Sequence, residues 1–227
     1  MSRTLPVLLL AGLGLLAVHP AQAQAQDAKD KGIYAVARVG GVIQPDQKLD
    51  RNGLPTVTID ETTKYKTGIT GEIGAGYDFG MFRVEQTVGY TNLKLDRDKA
   101  QDGGFSASGR AKMFTAMVNA YVDIPLSRTF QPYVGGGIGV SRVDANLSRV
   151  NNATQIGSGY SGKDWGMTWH ADAGLGIRMN DKMTVEIGGR YSRTDKLAFS
   201  GQAAGVATTY KPQLNAVSGT VGLRYKF

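Results

Sequence analysis

The chain has 227 residues, no cysteine, 31 glycines against 7 prolines, and a formal net charge of +7. Without a thiol there is no disulfide framework, no thiol nucleophile and no zinc-finger or iron–sulfur ligation by cysteine. Hydrophobic residues make up 41% of the chain, yet after residue 20 no run approaches the roughly 18 consecutive apolar residues of a membrane-spanning helix, and glycines set inside alternating apolar segments exclude collagen and low-complexity sequence.

The first residues read as an export signal. Arg3 supplies the positive start and Leu5 to Val18 an apolar run of 14; Ala21-Gln-Ala23 then supplies a small-x-small cleavage pattern. The expected division is a signal peptide over 1–23, with an alternative cut after 25, and one barrel domain over 24–227. Exported chains do not meet nucleic acid, so no nucleic-acid partner is expected.

From residue 31 onward the dominant period is two, the signature of strands with two different faces. Eight strands are predicted, at about 32–44, 67–79, 81–94, 111–124, 131–143, 164–179, 183–192 and 216–227. The last is the clearest: Val217, Gly219, Val221, Leu223, Tyr225 and Phe227 share one face, while Ser218, Thr220, Gly222, Arg224 and Lys226 share the other. In the fourth, Phe114, Ala116, Val118, Ala120, Val122 and Ile124 oppose Thr115, Met117, Asn119, Tyr121 and Asp123. The glycine-rich fifth segment, Pro132 to Val140, does not reveal its faces.

Tight turns near 78–81, 125–130 and 180–181 alternate with long links at 45–66, 95–110, 144–163 and 195–211, which run 16 to 22 residues. Strict alternation of short and long connections is the mark of an all-β, eight-stranded, antiparallel up-and-down barrel in which every long loop leaves one rim. A soluble barrel would turn its apolar face inward around a ligand. Aromatic residues at the ends of the apolar faces (Tyr77, Phe79, Phe82, Tyr90, Trp165, Tyr191, Tyr225, Phe227) and a sparse charged face of mixed sign favour the opposite arrangement, with lipid outside. The lumen is then expected to hold a polar network of Arg38, Glu72, Arg83, Glu85, Asp123, His170, Asp172, Arg178, Glu186, Arg190 and Arg224. Glycines on the same face (Gly74, Gly76, Gly174, Gly176, Gly222) either make room for these side chains or ease the curvature. Eight strands make a cylinder that side chains can fill.

With Tyr121-Val-Asp-Ile-Pro-Leu, Phe130-Gln-Pro-Tyr-Val-Gly-Gly-Gly-Ile-Gly139 and the ending Gly222-Leu-Arg-Tyr-Lys-Phe227, the chain resembles the small bacterial outer-membrane β-barrel family of OmpX, the OmpA transmembrane domain and the opacity-type porin-like proteins. The resemblance implies a transmembrane barrel in the outer membrane with both termini in the periplasm and four surface loops. It also implies recognition by the barrel assembly machinery through Leu223, Tyr225 and Phe227.

Sites of chemistry are sparse. His170 is the sole histidine after the leader and lies two residues from Asp172, on the same strand face. A lipid A-modifying enzyme would need such a pair with a nucleophilic serine near the outer rim, and no His-x-Ser signature is present. No metal or cofactor site is expected. With their flanking residues (45–66, 94–112, 142–163 and 193–211) the four long links carry 15 positive against 9 negative side chains, so Lys94, Arg97, Lys99, Arg110, Lys112, Arg142, Arg193, Lys196 and Lys211 are candidate contacts for lipopolysaccharide phosphates. The reading is a non-enzymatic outer-membrane barrel that contributes to envelope integrity and meets a host or surface ligand through its loops. A small permeation channel and a lipid A-modifying enzyme are the alternatives.

Overall fold

A computed structural model of the protein describes residues 31–43, 46–49, 62–64, 67–94, 105–124, 126–203 and 205–227. The leader and its cleavage sites, with Arg97 and Lys99, lie outside these residues. Eight long strands form the wall: β1 (Gly32–Val42), β4 (Gly68–Asp78), β5 (Phe82–Lys94), β6 (Phe105–Asp123), β7 (Phe130–Asn151), β8 (Gly157–Arg178), β9 (Met183–Asp195) and β12 (Pro212–Lys226). Four short ones extend it: β2 (Asp46–Leu49), β3 (Thr62–Lys64), β10 (Phe199–Ala203) and β11 (Val206–Tyr210).

All the wall pairs are antiparallel and run in chain order from β1 through β4, β5, β6, β7, β8 and β9 to β12. The sheet then closes on itself, with Ala35 opposite Tyr225 and Val39 opposite Val221. Closure leaves no edge in the wall, which is what a sheet in hydrocarbon requires, because an unpaired backbone group there costs several kcal/mol.

The short turns are built by their own side chains. Asp78 Oδ1 accepts from the Gly80 N–H at 2.8 Å, and Gly80 takes a φ of 102° that a residue with a Cβ rarely adopts. Asn180 Oδ1 accepts from the N–H groups of Lys182 and Met183, each at 2.9 Å.

The outward surface between the rims is apolar. Val39, Ile73, Val118, Ile138, Ile187 and Val221 are all more than half exposed, while Arg83, Glu85 and Glu186 are at most 1% exposed. Burial alternates residue by residue along β5 from Phe82 to Tyr90 and along β8 from Asp164 to Ala173. The eight aromatic residues expected at the ends of the apolar faces all lie exposed on the outside. The glycine-rich segment of β7 now has faces: Tyr133 points inward, and Gly135, Gly137 and Gly139 follow it on the same side. A Cβ at these three glycines would run into the Tyr121 ring, Asn119 Oδ1 and Met117 Sδ. The segment is rich in glycine because its neighbour β6 fills that part of the lumen.

The long links differ from the expected loops. The 144–163 link is mostly strand: β7 and β8 pair from Val150 and Gly157 downward, leaving a six-residue turn in which Asn151 Oδ1 accepts from the N–H groups of Ala153 and Thr154. β6 begins at Phe105, and 195–211 contains the β10–β11 hairpin. At 22 residues each, β7 and β8 are about twice the 9–11 residues that cross a bilayer. The wall therefore stands well above the apolar band.

In that extension the two faces exchange character. Along β6 and β7 the even positions stay outside, but above Phe114 and Val140 they become Lys112, Arg110, Arg142, Asp144 and Asn146, whereas the inward positions become Ala111, Val143, Ala145 and Leu147. One continuous pair of strands is apolar outside at one end and apolar inside at the other.

Candidate functional site

Every wall strand sends a polar or aromatic side chain to one cross-section of the lumen, and Arg38 on β1 is its hub. Its guanidinium donates to Glu72 on β4 at 2.9 Å, to both oxygens of Glu85 on β5 at 2.8 and 2.9 Å, and to Glu186 on β9 at 2.9 and 2.8 Å. Arg190 forks onto Asp172 with two bonds of 2.8 Å and onto Glu72 at 2.6 and 3.0 Å. Planar guanidinium forks match carboxylates two bonds at a time, which is why arginine rather than lysine fills these positions.

Arg83 bridges Glu85 and Glu186 at 3.0 and 3.1 Å, and its Nε lies 2.7 Å from Asp123 Oδ2 as an ion pair without hydrogen-bond alignment. Its Nη2 has no hydrogen-bond partner, but the guanidinium lies 4.8 Å from the centre of the Tyr121 ring and 5.4 Å from that of Tyr133. The ring faces supply the negative potential that a further acceptor would have given. Arg224 reaches Asp123 at 3.3 Å. Arg178 lies at the short-turn end, where it lines a small pocket with Asp78, Asp181, Arg224 and Lys226.

Sequence reasoning missed several members of this cluster. Tyr34 donates to Glu85 at 2.9 Å and Tyr121 to Asp172 at 3.0 Å. Both share strand parity with a charged residue already chosen, Arg38 and Asp123; alternation sets Tyr121 on the charged face, but neither ring is counted in the expected network. Gly76, Gly174 and Gly222 answer the question about lumen glycines, since a Cβ there would strike Tyr34, the Tyr133 hydroxyl and Arg38. They make room.

Above the ions a chain of hydroxyls crosses four strands: Thr115 to Ser141 at 2.9 Å, Ser141 to Thr168 at 2.6 Å and Thr168 to Thr194 at 2.8 Å. A cavity of about 70 Å³ lies here, bordered by His170, Arg190, Thr168 and Ser192, with space for a few water molecules. His170 is buried in mid-barrel, rather than near the rim, because β8 continues upward to Gly157. Its Nε2 lies 3.6 Å from Asp172 Oδ2 and has no hydrogen-bond partner, since both Asp172 oxygens are already engaged by Arg190 and Tyr121. Among the described residues no group of three or more acidic or histidine side chains is arranged to hold a metal ion.

Above the hydroxyls the inner faces carry an apolar cluster of Val42, Leu93, Val143, Leu147, Tyr160 and Phe199, among others. Tyr160 stacks on Phe199 at 5.2 Å and lies 5.2 Å from Tyr210, whose hydroxyl donates to the Gln202 carbonyl at 2.8 Å. Burial raises the Tyr210 phenol above its ordinary value.

The seven described basic candidates divide. Lys94, Arg110, Lys112 and Arg142 lie exposed on the outer face of β5, β6 and β7 directly above Tyr90 and Phe114, with Lys94 opposite Arg110 and Arg142 between Phe114 and Trp165. The Arg142 guanidinium lies 6.0 Å from the Trp165 ring centre. Arg193 is tied to Asp195 at 2.9 Å. Lys196, in the left-handed region at φ 64°, touches Met167 Sδ at 3.3 Å, and Lys211 is exposed between β11 and β12. Leu223 and Tyr225 on β12 and Phe227 just after it are exposed in one outward line, with Tyr225 and Phe227 edge to face at 5.6 Å.

Comparison with known proteins agrees with this architecture. A family model described as the outer membrane protein beta-barrel domain matches residues 8–227. An uncharacterised protein of Brucella abortus is 26% identical over 162 residues, covering 60% of this chain and 57% of the relative, so the chain spans little more than half of that protein. A Rickettsia bellii protein whose name marks it as a candidate adhesin is 26% identical over 170 residues, covering 71% of this chain and 72% of the relative. Neisserial surface protein A matches with a TM-score of 0.50 at 17% identity, over 86% of this chain and 97% of the other. OprG of Pseudomonas aeruginosa matches with a TM-score of 0.50 at 17% identity, over 86% and 96%. At these identities the solved structures speak for the fold alone.

Proposed function

Because the chain belongs to the outer membrane protein beta-barrel domain family, its match running over residues 8–227, we propose that it serves the bacterial outer membrane as a non-enzymatic surface protein, contributing to envelope integrity and meeting a host or surface ligand with its extended hairpins. The filled lumen carries this reading. A cylinder whose cross-section is occupied by interlocked arginines and carboxylates, with an apolar cluster above them, works through what it displays. The candidate adhesin of Rickettsia bellii supports a surface role.

In this reading the signal peptide over 1–23 is removed, the short turns and both termini face the periplasm, and β6–β8 and β10–β11 project outward. Leu223, Tyr225 and Phe227 offer the assembly machinery an outward aromatic line on the closing strand. Lys94, Arg110, Lys112 and Arg142 sit where the aromatic band gives way to water, the level of lipopolysaccharide phosphates, and low packing leaves them free to meet anions. His170 supports the absence of catalysis: a buried imidazole whose neighbouring carboxylate is saturated by Arg190 and Tyr121 has neither a base to orient it nor a path to a lipid.

Planar-bilayer recording of the purified folded protein tests the sealed lumen, and steady openings that follow the folded species would refute it. Binding to purified lipopolysaccharide tests the basic face. The double change Lys112→Glu with Arg142→Glu weakens retention relative to wild type, and the difference fades with added salt and with dephosphorylated lipopolysaccharide. Equal retention would remove the lipopolysaccharide assignment.

A further inference from the structure

One lipid-facing residue breaks the pattern of the outer wall. At the outward positions of the eight wall strands between the aromatic rims, the described side chains are aliphatic, aromatic, methionine, proline or glycine, with the single exception of Gln86 on β5. It is exposed, and no hydrogen bond to its side chain is found among the described residues. Gln86 lies four positions from Phe82 and four from Tyr90, so with about 3.4 Å per residue and strand tilt it stands about 10 Å from either rim, at the middle of an apolar band about 25 Å tall. An amide side chain is too short to snorkel that distance, and acyl chains have neither donor nor acceptor to offer it.

The surroundings of Gln86 are low. Its cross-strand neighbours are Ala75 and Val118, Ala35 lies beyond Ala75, and Ala116 lies one outward position along β6. Together they form the floor of an open concavity of about 1020 Å³ on the outer wall. Small residues let two backbones approach closely in a membrane, where interfaces are held by packing and by hydrogen bonds between polar side chains.

We propose that this face, centred on Gln86, is the contact between two copies of the chain in the bilayer. An amide both donates and accepts, so two Gln86 side chains related by a two-fold axis satisfy each other with a reciprocal pair of bonds. The two barrels share one orientation, each laying β5 against the other's concavity, and their hairpins stand side by side above the membrane. Within the apolar band no described outward charge opposes the contact; above the rim Lys94, Arg110 and Lys112 of the two copies come side by side, at the level where lipopolysaccharide phosphates would lie between them.

The absence of native cysteine makes the test direct. Ala75→Cys, the cross-strand neighbour of Gln86 whose replacement leaves the amide in place, folded in lipid vesicles and treated with a short bifunctional thiol cross-linker, is expected to give a covalent dimer at least about tenfold more than Ile187→Cys, which faces lipid on the opposite wall strand β9; equal yields at both sites, or none at Ala75→Cys, would overturn the proposal. Energy transfer between dilute labelled copies provides the second reading. Gln86→Leu weakens association by about tenfold, the worth of a membrane hydrogen bond converted to an equilibrium constant, while Gln86→Asn keeps it. A wild-type protein that stays monomeric, or a leucine variant that associates as wild type does, would also overturn it.

Discussion

Along β6 and β7 the same alternation of side chains does opposite work at the two ends. Between Phe114 and Asp123 the outward side chains are apolar, and the inward ones include Thr115, Asn119, Tyr121 and Asp123. Between Arg110 and Met113, and from Ser141 to Leu147, the outward ones are Lys112, Arg142 and Asp144, and the inward ones Ala111, Val143 and Leu147. Hydrophobic burial is indifferent to which side is called inside; it requires only that oil meet oil. Where the solvent is lipid the charges must retreat into the lumen and neutralise one another, and where it is water the lumen side becomes the core. The level at which the faces exchange, marked by Tyr90, Phe114 and Trp165, is therefore where we place the membrane surface.

The two regions should fail differently. In the ionic region each charge is held by partners that have been stripped of water, so removing one leaves the others uncompensated. Arg38→Ala strands Glu72, Glu85 and Glu186 and is expected to cost about 3 to 5 kcal/mol, measured by denaturant unfolding in lipid vesicles. A loss within 1 kcal/mol would mean that water enters the lumen freely.

The outer face gives the sharpest contrast. Val221→Arg places a charge in hydrocarbon and costs about 2 to 4 kcal/mol, whereas Asn146→Arg, outward on the extension of β7 and opposite Arg110, costs less than about 1 kcal/mol by the same measurement, the repulsion of like charges across two strands in water. Thr220→Arg points inward and is limited by crowding. Equal penalties at positions 221 and 146 would erase the proposed boundary.

Inside the extension the preference reverses again. Val143 is fully buried in the apolar cluster, and Val143→Thr, which keeps the shape and adds a hydroxyl, costs about 1 to 3 kcal/mol. The adjoining hydroxyl chain shows why the position matters: Ser141, two residues earlier on the same face, has Thr115 and Thr168 as partners. Hydrogen exchange of the β7–β8 amides reports this loss locally. A neutral result would mean that the cluster is hydrated.

The barrel itself was legible because its wall obeys one rule from β1 to β12: strict alternation, short turns alternating with long links, and charged residues on a single parity. The lumen charges followed from that parity. What escaped was the hairpin extension, and the reason is physical. Val143, Ala145 and Leu147 alternate with Arg142, Asp144 and Asn146 as regularly as any strand, but in the opposite sense to the membrane wall below, so a search for one continuous oily face ends at residue 143 and reads the rest as loop. The faces of Pro132 to Val140 were hidden for another reason: the determinant is not in β7 but in the bulk of Tyr121, Asn119 and Met117 beside it. Gln86 was visible in the sequence as a break in the pattern, but its depth was not, since that requires Phe82 and Tyr90 to be placed at the two rims.

The smallest effect belongs to the outer charges, and it separates the two kinds of ion pair on one molecule. Lys163 and Asp144 meet at 3.6 Å with more than half of each side chain in solvent or nearly so, at 59% and 50% exposure, whereas Arg38 and Glu85 meet at 2.8 Å with at most 3% of either exposed. Water and salt already solvate the first pair, so forming it gains little more than the side-chain entropy it costs. Lys163→Ala should therefore change stability by less than about 0.5 kcal/mol in vesicle unfolding, with the small difference vanishing at high salt, while the Arg38→Ala penalty persists at the same ionic strength because counter-ions cannot enter a filled lumen. If raising the salt shrinks both penalties alike, the lumen charges are in contact with bulk electrolyte and the inner cluster is not sealed.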